Sequence, residues 1–222
     1  MNEYNFENLD IIVRTDGTLL GHKKWHKGSP NPNGYLVTAS TKTDRTYLVH
    51  RLVGIAFVHN PAPEVFNQID HINHNPLDND ISNLRWVNSP LNNLARSFKN
   101  YTKGHWGYNS NVSFNKKRYN LGWFKKAEDA TETAHDFKEV LFHIGYLQYC
   151  KNARKVWQQG NRCYLHGTSA NFAGCIERLN HRARRHRNLR KSLMLLPNSY
   201  REAPRVLKMF SHLTTKNQNG TR

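Results

Sequence analysis

Along the first fifty residues, short apolar runs separated by turn residues predict strands. Ile11-Ile12-Val13, the turn Asp16-Gly17 and Leu19-Leu20 predict one hairpin; Tyr35-Leu36-Val37 and Thr46-Tyr47-Leu48-Val49 predict a second. Between them, Gly28 to Gly34 is rich in Pro and Asn and reads as a loop. His50 to Val58 is apolar enough to be buried, but its periodicity leaves strand and short helix both open until Asn60-Pro61-Ala62-Pro63 stops it.

The next stretch, residues 66–98, reads as strand, loop, strand, helix. Phe66-Asn67-Gln68-Ile69 leads into Asp70-His71, and a loop dense in Asn and Asp follows: Asn73, Asn75, Asp78, Asn79 and Asp80. Leu84-Arg85-Trp86-Val87 is the second strand, with Leu84 and Trp86 read as core residues. Ser89-Pro90 then has the form of a helix start, a hydroxyl cap followed by proline at the first helical position. Leu91, Leu94, Ala95 and Phe98 recur at helical spacing and give that helix one apolar face.

Residues 103–145 form a separate pattern. Val112-Ser113-Phe114 and Tyr119 to Phe124 predict paired strands joined by the basic turn Asn115-Lys116-Lys117-Arg118. Ala127, Ala130, Ala134, Phe137, Leu141 and Ile144 then mark an amphipathic helix laid across the small sheet, with Gly145 as its stop. In the tail, Ile176, Leu179, Ala183, His186 and Leu193 keep a weaker helical spacing among many arginines, so a helix there is expected to order against a partner.

Charge sharpens this division. Residues 1–150 carry a balance of +3 and residues 151–222 one of +14, out of +17 for the 222-residue chain. So positive a tail attracts a polyanion, and nucleic acid leads over acidic lipid or a merely solubilising role. No run approaches the roughly 18 apolar residues of a membrane span. Met1-Asn2-Glu3-Tyr4 lacks the basic and apolar regions of a secretion signal, so the expected location is the cytoplasm. Three cysteines, all in the last third, do not make a disulfide framework. A zinc site from Cys163, His166, Cys175 and His181 would have a spacing that fits no common finger.

Hydrolysing a phosphodiester near neutral pH needs a base to activate water and a hard cation to stabilise developing charge. Asp70-His71 supplies both kinds of group side by side, although neighbours on a strand point to opposite faces. They share a site if the strand ends or bends between them. A second metal ligand would come from Asn92 or Asn93 in the following helix, and a carboxylate with a carboxamide oxygen suits magnesium.

Val49-His50-Arg51-Leu52-Val53, Ile69-Asp70-His71, the Asn-rich loop, Asn83-Leu84-Arg85-Trp86-Val87 and Asn92 together resemble the HNH endonucleases of the phage homing type, whose core is a ββα-metal fold. The resemblance spans about residues 35–98. It implies that His71 is the general base, that Asp70 and Asn92 hold one divalent ion (Mg2+ or Mn2+), and that Asn83 braces the loop orienting the base, with Asn79 a competing choice. His50 and Arg51 fall to packing or phosphate contact. Residues 103–145, through Leu121-Gly122-Trp123-Phe124 and the alanine-rich helix, resemble the AP2 type of DNA-binding domain.

The expected architecture is thus α+β: hairpins and an HNH nuclease over residues 1–98, an AP2-like sheet and helix over 103–147, and a basic, partly helical extension over 151–222. The expected function is a site-directed, metal-dependent DNA endonuclease acting as a monomer on double-stranded DNA, with no membrane and no small-molecule cofactor. Arg51, Arg85, Lys116, Lys117, Arg118, Arg182, Arg184, Arg185 and Arg187 are the expected DNA contacts. The alternative is a non-catalytic DNA-binding protein that keeps the nuclease scaffold; a preference for structured RNA would mark a third.

Overall fold

The computed structural model describes residues 1–21, 24–96, 100–152 and 169–196, which form a mixed α/β chain. They fall into two compact units, one of residues 1–92 with 150–152 and one of residues 93–149 with 169–196. Among the described residues no helix is long and apolar enough to cross a membrane.

The first unit opens with an antiparallel sheet of β1 (Glu3–Phe6), β2 (Ile11–Arg14), β3 (Leu19–Gly21) and β4 (Lys24–His26), in that order. The hairpin predicted at Asp16-Gly17 is its centre. A second sheet holds β5 (Ser29–Pro30), β6 (Leu36–Ser40) and β7 (Arg45–Leu48), so the Pro-rich stretch read as loop contributes one short edge pairing. The ambiguous segment is helical: α1 (Val49–Phe57) buries Val49, Leu52 and Val53 against Ile11, Val13, Leu19 and Leu36. Helical spacing lets these apolar residues meet one core, which a strand's alternation would split between two faces.

β8 (Gln68–His71) pairs antiparallel with β9 (Leu84–Val87), and α2 (Ser89–Ala95) follows. The helix cap differs in detail from the expectation. Asn88, not Ser89, supplies it, its Oδ1 accepting from Leu91 N at 3.1 Å, so Ser89 is already helical and Pro90 second. Phe98, expected on the apolar face of α2, lies outside the described residues.

In the second unit β10 (Tyr101–Gly104), β11 (Gly107–Phe114) and β12 (Lys117–Phe124) form a three-stranded antiparallel sheet backed by α3 (Ala127–Asn152). Asn115 and Lys116 alone make the β11–β12 turn, at φ 48° and 63°, the mirror-image geometry that two-residue hairpins favour; Lys117 and Arg118 belong to β12. Ser110 pairs with Gly122 and Asn111 with Asn120, leaving Leu121 as a bulge that reverses which β12 side chains face inward. Tyr119 is therefore buried before it, Leu121 at it and Phe124 after it.

Gly145 does not stop α3. Interior glycine costs only about 1 kcal/mol relative to alanine, and the helix goes on burying Tyr146 beyond it. The tail pattern becomes two helices, α4 (Ser169–Ala183) and α5 (Arg187–Met194). Leu189 and Leu193 of α5 are buried, and Ser192 Oγ donates to the Asn120 carbonyl at 2.6 Å, so α5 covers the free edge of β12. These helices fall in the same compact unit as the sheet; residues 153–168 and 197–222 lie outside the described residues.

Candidate functional site

The β8–β9 ribbon has two faces, and each carries part of the candidate chemistry. Ile69 and His71 point one way, toward α1. Gly54 makes that approach possible, since a Cβ there would overlap the Ile69 side chain. His50, one helical turn before Gly54, accordingly lies under His71, with ring centroids 5.1 Å apart and Tyr35 beside both at 5.2 and 6.1 Å.

His71 is buried, and its Nε2 is 2.9 Å from Asn79 Oδ1. An amide oxygen can only accept, so Nε2 carries the ring proton and the lone pair is left on Nδ1. The side chain touching the imidazole is thus Asn79. Asn83 acts one step further out: its Oδ1 accepts from Asn73 N at 2.9 Å, and its Nδ2 donates to Asn73 Oδ1 at 3.0 Å and to the Asp78 carbonyl at 2.7 Å. It pins both ends of the loop in which Asn79 sits. Asp80 adds a local tie by accepting from Ser82 N and Oγ.

Gln68 and Asp70 point to the other face. Asp70 Oδ2 accepts from Arg85 Nε at 2.8 Å and lies 2.7 Å from its NH2 group, the two residues standing directly opposite across the ladder. Asn92 reaches the same face from α2, its Nδ2 donating to Gln68 Oε1 at 2.7 Å. The condition set for Asp70 and His71, that the strand end or bend between them, is not met: β8 runs through both, pairing Asp70 with Arg85 and His71 with Leu84. Pleating therefore sends base and carboxylate to opposite sides. The three expected site groups stand in three separate contacts, His71 with Asn79, Asp70 with Arg85 and Asn92 with Gln68. Gln68 was missed because nothing in an isolated strand glutamine advertises that it will orient an amide 24 residues later.

Hard oxygen donors are nonetheless what the second face offers. Asp70 is a buried carboxylate facing Arg85, and the Asn92 amide uses its nitrogen on Gln68, keeping its carbonyl oxygen out of that bond. Among the described residues no three His, Cys, Asp or Glu side chains gather as an all-protein metal cage. One carboxylate and one carboxamide fit a magnesium-like ion that completes its shell with water and phosphate. Zinc chemistry is poorly served: burial, with Asp136 beside it, pushes the Cys175 thiol up to about 12, while Cys163 and His166 lie outside the described residues.

Burial, followed by His71 and Arg51, lowers the His50 imidazole to about 4, and its Nδ1 has no hydrogen-bond partner among the described residues. His50 is therefore neutral at pH 7. The unfolded chain takes up this proton first, near 6.5, so the stability due to neutral His50 is present above 6.5 and lost as pH falls toward 4. The loss reaches about 3 kcal/mol. Urea unfolding midpoints measured from pH 7 to 4.5 should fall steeply in the wild type and more gently in His50→Gln.

The basic residues divide. Arg51, Lys116, Lys117, Arg118, Arg184, Arg185 and Arg187 are exposed. Arg85 and Arg182, expected on DNA, instead serve internal ion pairs: Arg85 with Asp70, and Arg182 with Glu132 at 2.6 Å and Asp136 at 3.0 Å. A formal charge count cannot separate these groups, because the acids that pair them are distant in sequence.

Comparison with known proteins now bears on the ribbon. The family model described as HNH endonuclease matches residues 47–94, the stretch that holds α1, both strands and Asn92 of α2. Residues 47–94 are thus similar to the HNH endonuclease family. Two proteins of Acanthamoeba polyphaga mimivirus named as uncharacterized HNH endonucleases, L245 and L247, are similar to the chain. The first is 28% identical over 100 residues, covering 43% of this chain and 29% of its own length. The second is 46% identical over 114 residues, covering 50% of this chain and 26% of its own length. The chain thus spans less than a third of the curated relatives it matches. A solved structure described as "DNA binding and cleavage by the HNH homing endonuclease I-HmuI" shares 27% identity, with 41% of this chain and 55% of that one covered and a TM-score of 0.34.

Proposed function

We propose that the chain is a site-directed DNA endonuclease of the homing type, which hydrolyses a phosphodiester with His71 as general base and one divalent ion, Mg2+ or Mn2+, held by Asp70 and Asn92. The observation that carries this reading is the buried His71 ring, held through Nε2 by Asn79 inside an HNH endonuclease domain. Its Nδ1 is left with the lone pair, and an imidazole lone pair is the kind of group that takes a proton from water.

When bound, the ion supplies positive charge to the leaving oxygen and the phosphate. Asp70 and Asn92 present their oxygens on the face of β8 opposite His71. Arg85 holds the Asp70 carboxylate in its buried position, and Gln68 turns the Asn92 amide. Asn83 keeps the intervening loop closed so that Asn79 stays against the base.

The second unit supplies binding length in this reading. Its three-stranded sheet backed by a long helix supports the AP2-like assignment. Arg118 on β12, the Lys116 turn, and Arg184, Arg185 and Arg187 between and at the start of the last helices are exposed cations for duplex phosphates. Arg51 adds one on the nuclease unit.

The test is to incubate a pool of supercoiled plasmids carrying varied inserts with the protein, with and without Mg2+. Open-circular or linear DNA formed only with the metal supports an endonuclease. Salt-sensitive binding that leaves every strand whole under Mg2+ and Mn2+ returns the chain to the non-catalytic alternative.

A further inference from the structure

The loop that holds the base does not stand alone in the first unit. Where it passes Asn79 to Ile81 it lies against the β2–β3 turn, which is outside the stretch matched by the HNH family model. Two contacts join them. Ile81 N donates to the Thr15 carbonyl at 2.9 Å, and Gly17 approaches Asn79 so closely that a Cβ on it would stand 2.7 Å from Asn79 Cβ and 2.8 Å from the Asn79 carbonyl oxygen. The turn is itself locked: Gly17 N donates to the Arg14 carbonyl at 3.0 Å, and Asp16 Oδ1 accepts from Thr18 N and Oγ1 at 3.0 and 2.7 Å.

Asn79 depends on that support. Its side chain is buried, and its Nδ2 has no hydrogen-bond partner among the described residues. The contact with His71 is therefore not shared with a second side chain that could fix the amide, and the position of the Asn79 backbone decides where Oδ1 stands.

We propose that the β2–β3 turn is a positioning element for the general base, with Gly17 and the Thr15 carbonyl setting Asn79 and, through it, the His71 ring. Gly17 serves in two ways. Its φ of +80° suits the turn, and its missing side chain lets the turn reach the loop backbone. The proposal rests on His71 as the base, and its test includes a readout that does not.

Two variants loosen the contact from either side. Gly17→Asn keeps a residue that tolerates the left-handed region but places a Cβ against Asn79. Ile81→Pro removes the donor to Thr15 at the first position of a 3-10 turn, where proline is favoured, after Asp80 at φ −60° and ψ 139°, which suits the residue before a proline. The His71 ring is followed by 1H–15N spectra of metal-free protein. Steady-state cleavage in Mg2+ gives kcat and KM.

In the folded variants the His71 Nε2–H resonance should shift and lose exchange protection. kcat should fall by about 10- to 100-fold with KM unchanged. Adding Gly17→Asn to Asn79→Ala should cost nothing further, because the amide it displaces is already gone. A folded Gly17→Asn or Ile81→Pro protein with wild-type ring spectrum and kcat overturns the proposal, as does full additivity with Asn79→Ala. If the wild type itself cleaves nothing, the base assignment fails, while the ring spectrum still decides whether the turn positions His71.

Discussion

Replacing His71 by alanine should lower strand cleavage by about 10²- to 10⁴-fold, the usual contribution of a positioned general base, while leaving affinity for duplex DNA intact. Binding survives because the exposed cations assigned to phosphate, from Arg51 to Arg187, are untouched. The variant also strands the Asn79 amide, which then has neither Oδ1 nor Nδ2 partnered in a buried place. That costs about 1–3 kcal/mol, so a melting curve must accompany the rates. Asn79→Ala separates the contributions: the base remains but turns, and the loss of rate should be smaller than for His71→Ala. Equal losses in the two variants would mean that Asn79 does more than hold the ring.

The second large effect belongs to Asp70. Asp70→Asn removes the proposed negative ligand and should abolish metal-stimulated cleavage. It also leaves Arg85 nearly buried without its counter-charge, the two side chains being 11% and 15% exposed. Breaking a buried pair on one side costs about 3–5 kcal/mol, so stability and activity fall together and the single variant is ambiguous. Asp70→Asn combined with Arg85→Met resolves it. Removing the guanidinium together with the carboxylate should restore most of the melting temperature and none of the cleavage. Recovery of both would show that Asp70 serves the fold and not the cation.

Local chemistry made some of this site legible before coordinates. The Asn-rich loop between two short apolar runs, followed by Ser89-Pro90, reads directly as strand, loop, strand and helix, and that is what forms. The α1 segment was ambiguous because its nine residues are too uniformly apolar for periodicity to decide. β1, β4 and β10 went unread because each is short and mostly exposed, so their pairing comes from backbone hydrogen bonds and leaves little apolar alternation. The Leu121 bulge breaks the period-2 pattern of β12 from within.

Within the site, the roles of Asn79 and Asn83 are inseparable in sequence, being the same residue type in one loop. Only the fold shows one amide on the imidazole and the other on the loop backbone. The divergence of Asp70 from His71 follows from a strand that runs on through His71, two residues beyond the Phe66–Ile69 run read as strand. Arg182 shows the same limit for charge: its acids, Glu132 and Asp136, reach it only through the packing of α4 on α3.

The most direct measurement of the central claim is a metal titration of single-turnover DNA cleavage, run in parallel on wild type and Asn92→Ala. One cation gripped by Asp70 and Asn92 predicts no cleavage in chelator, hyperbolic activation by Mg2+ or Mn2+ with single-site saturation, and a half-saturating concentration shifted sharply upward in Asn92→Ala. Cleavage that persists in chelator, or an activation curve that Asn92→Ala leaves in place, would contradict it.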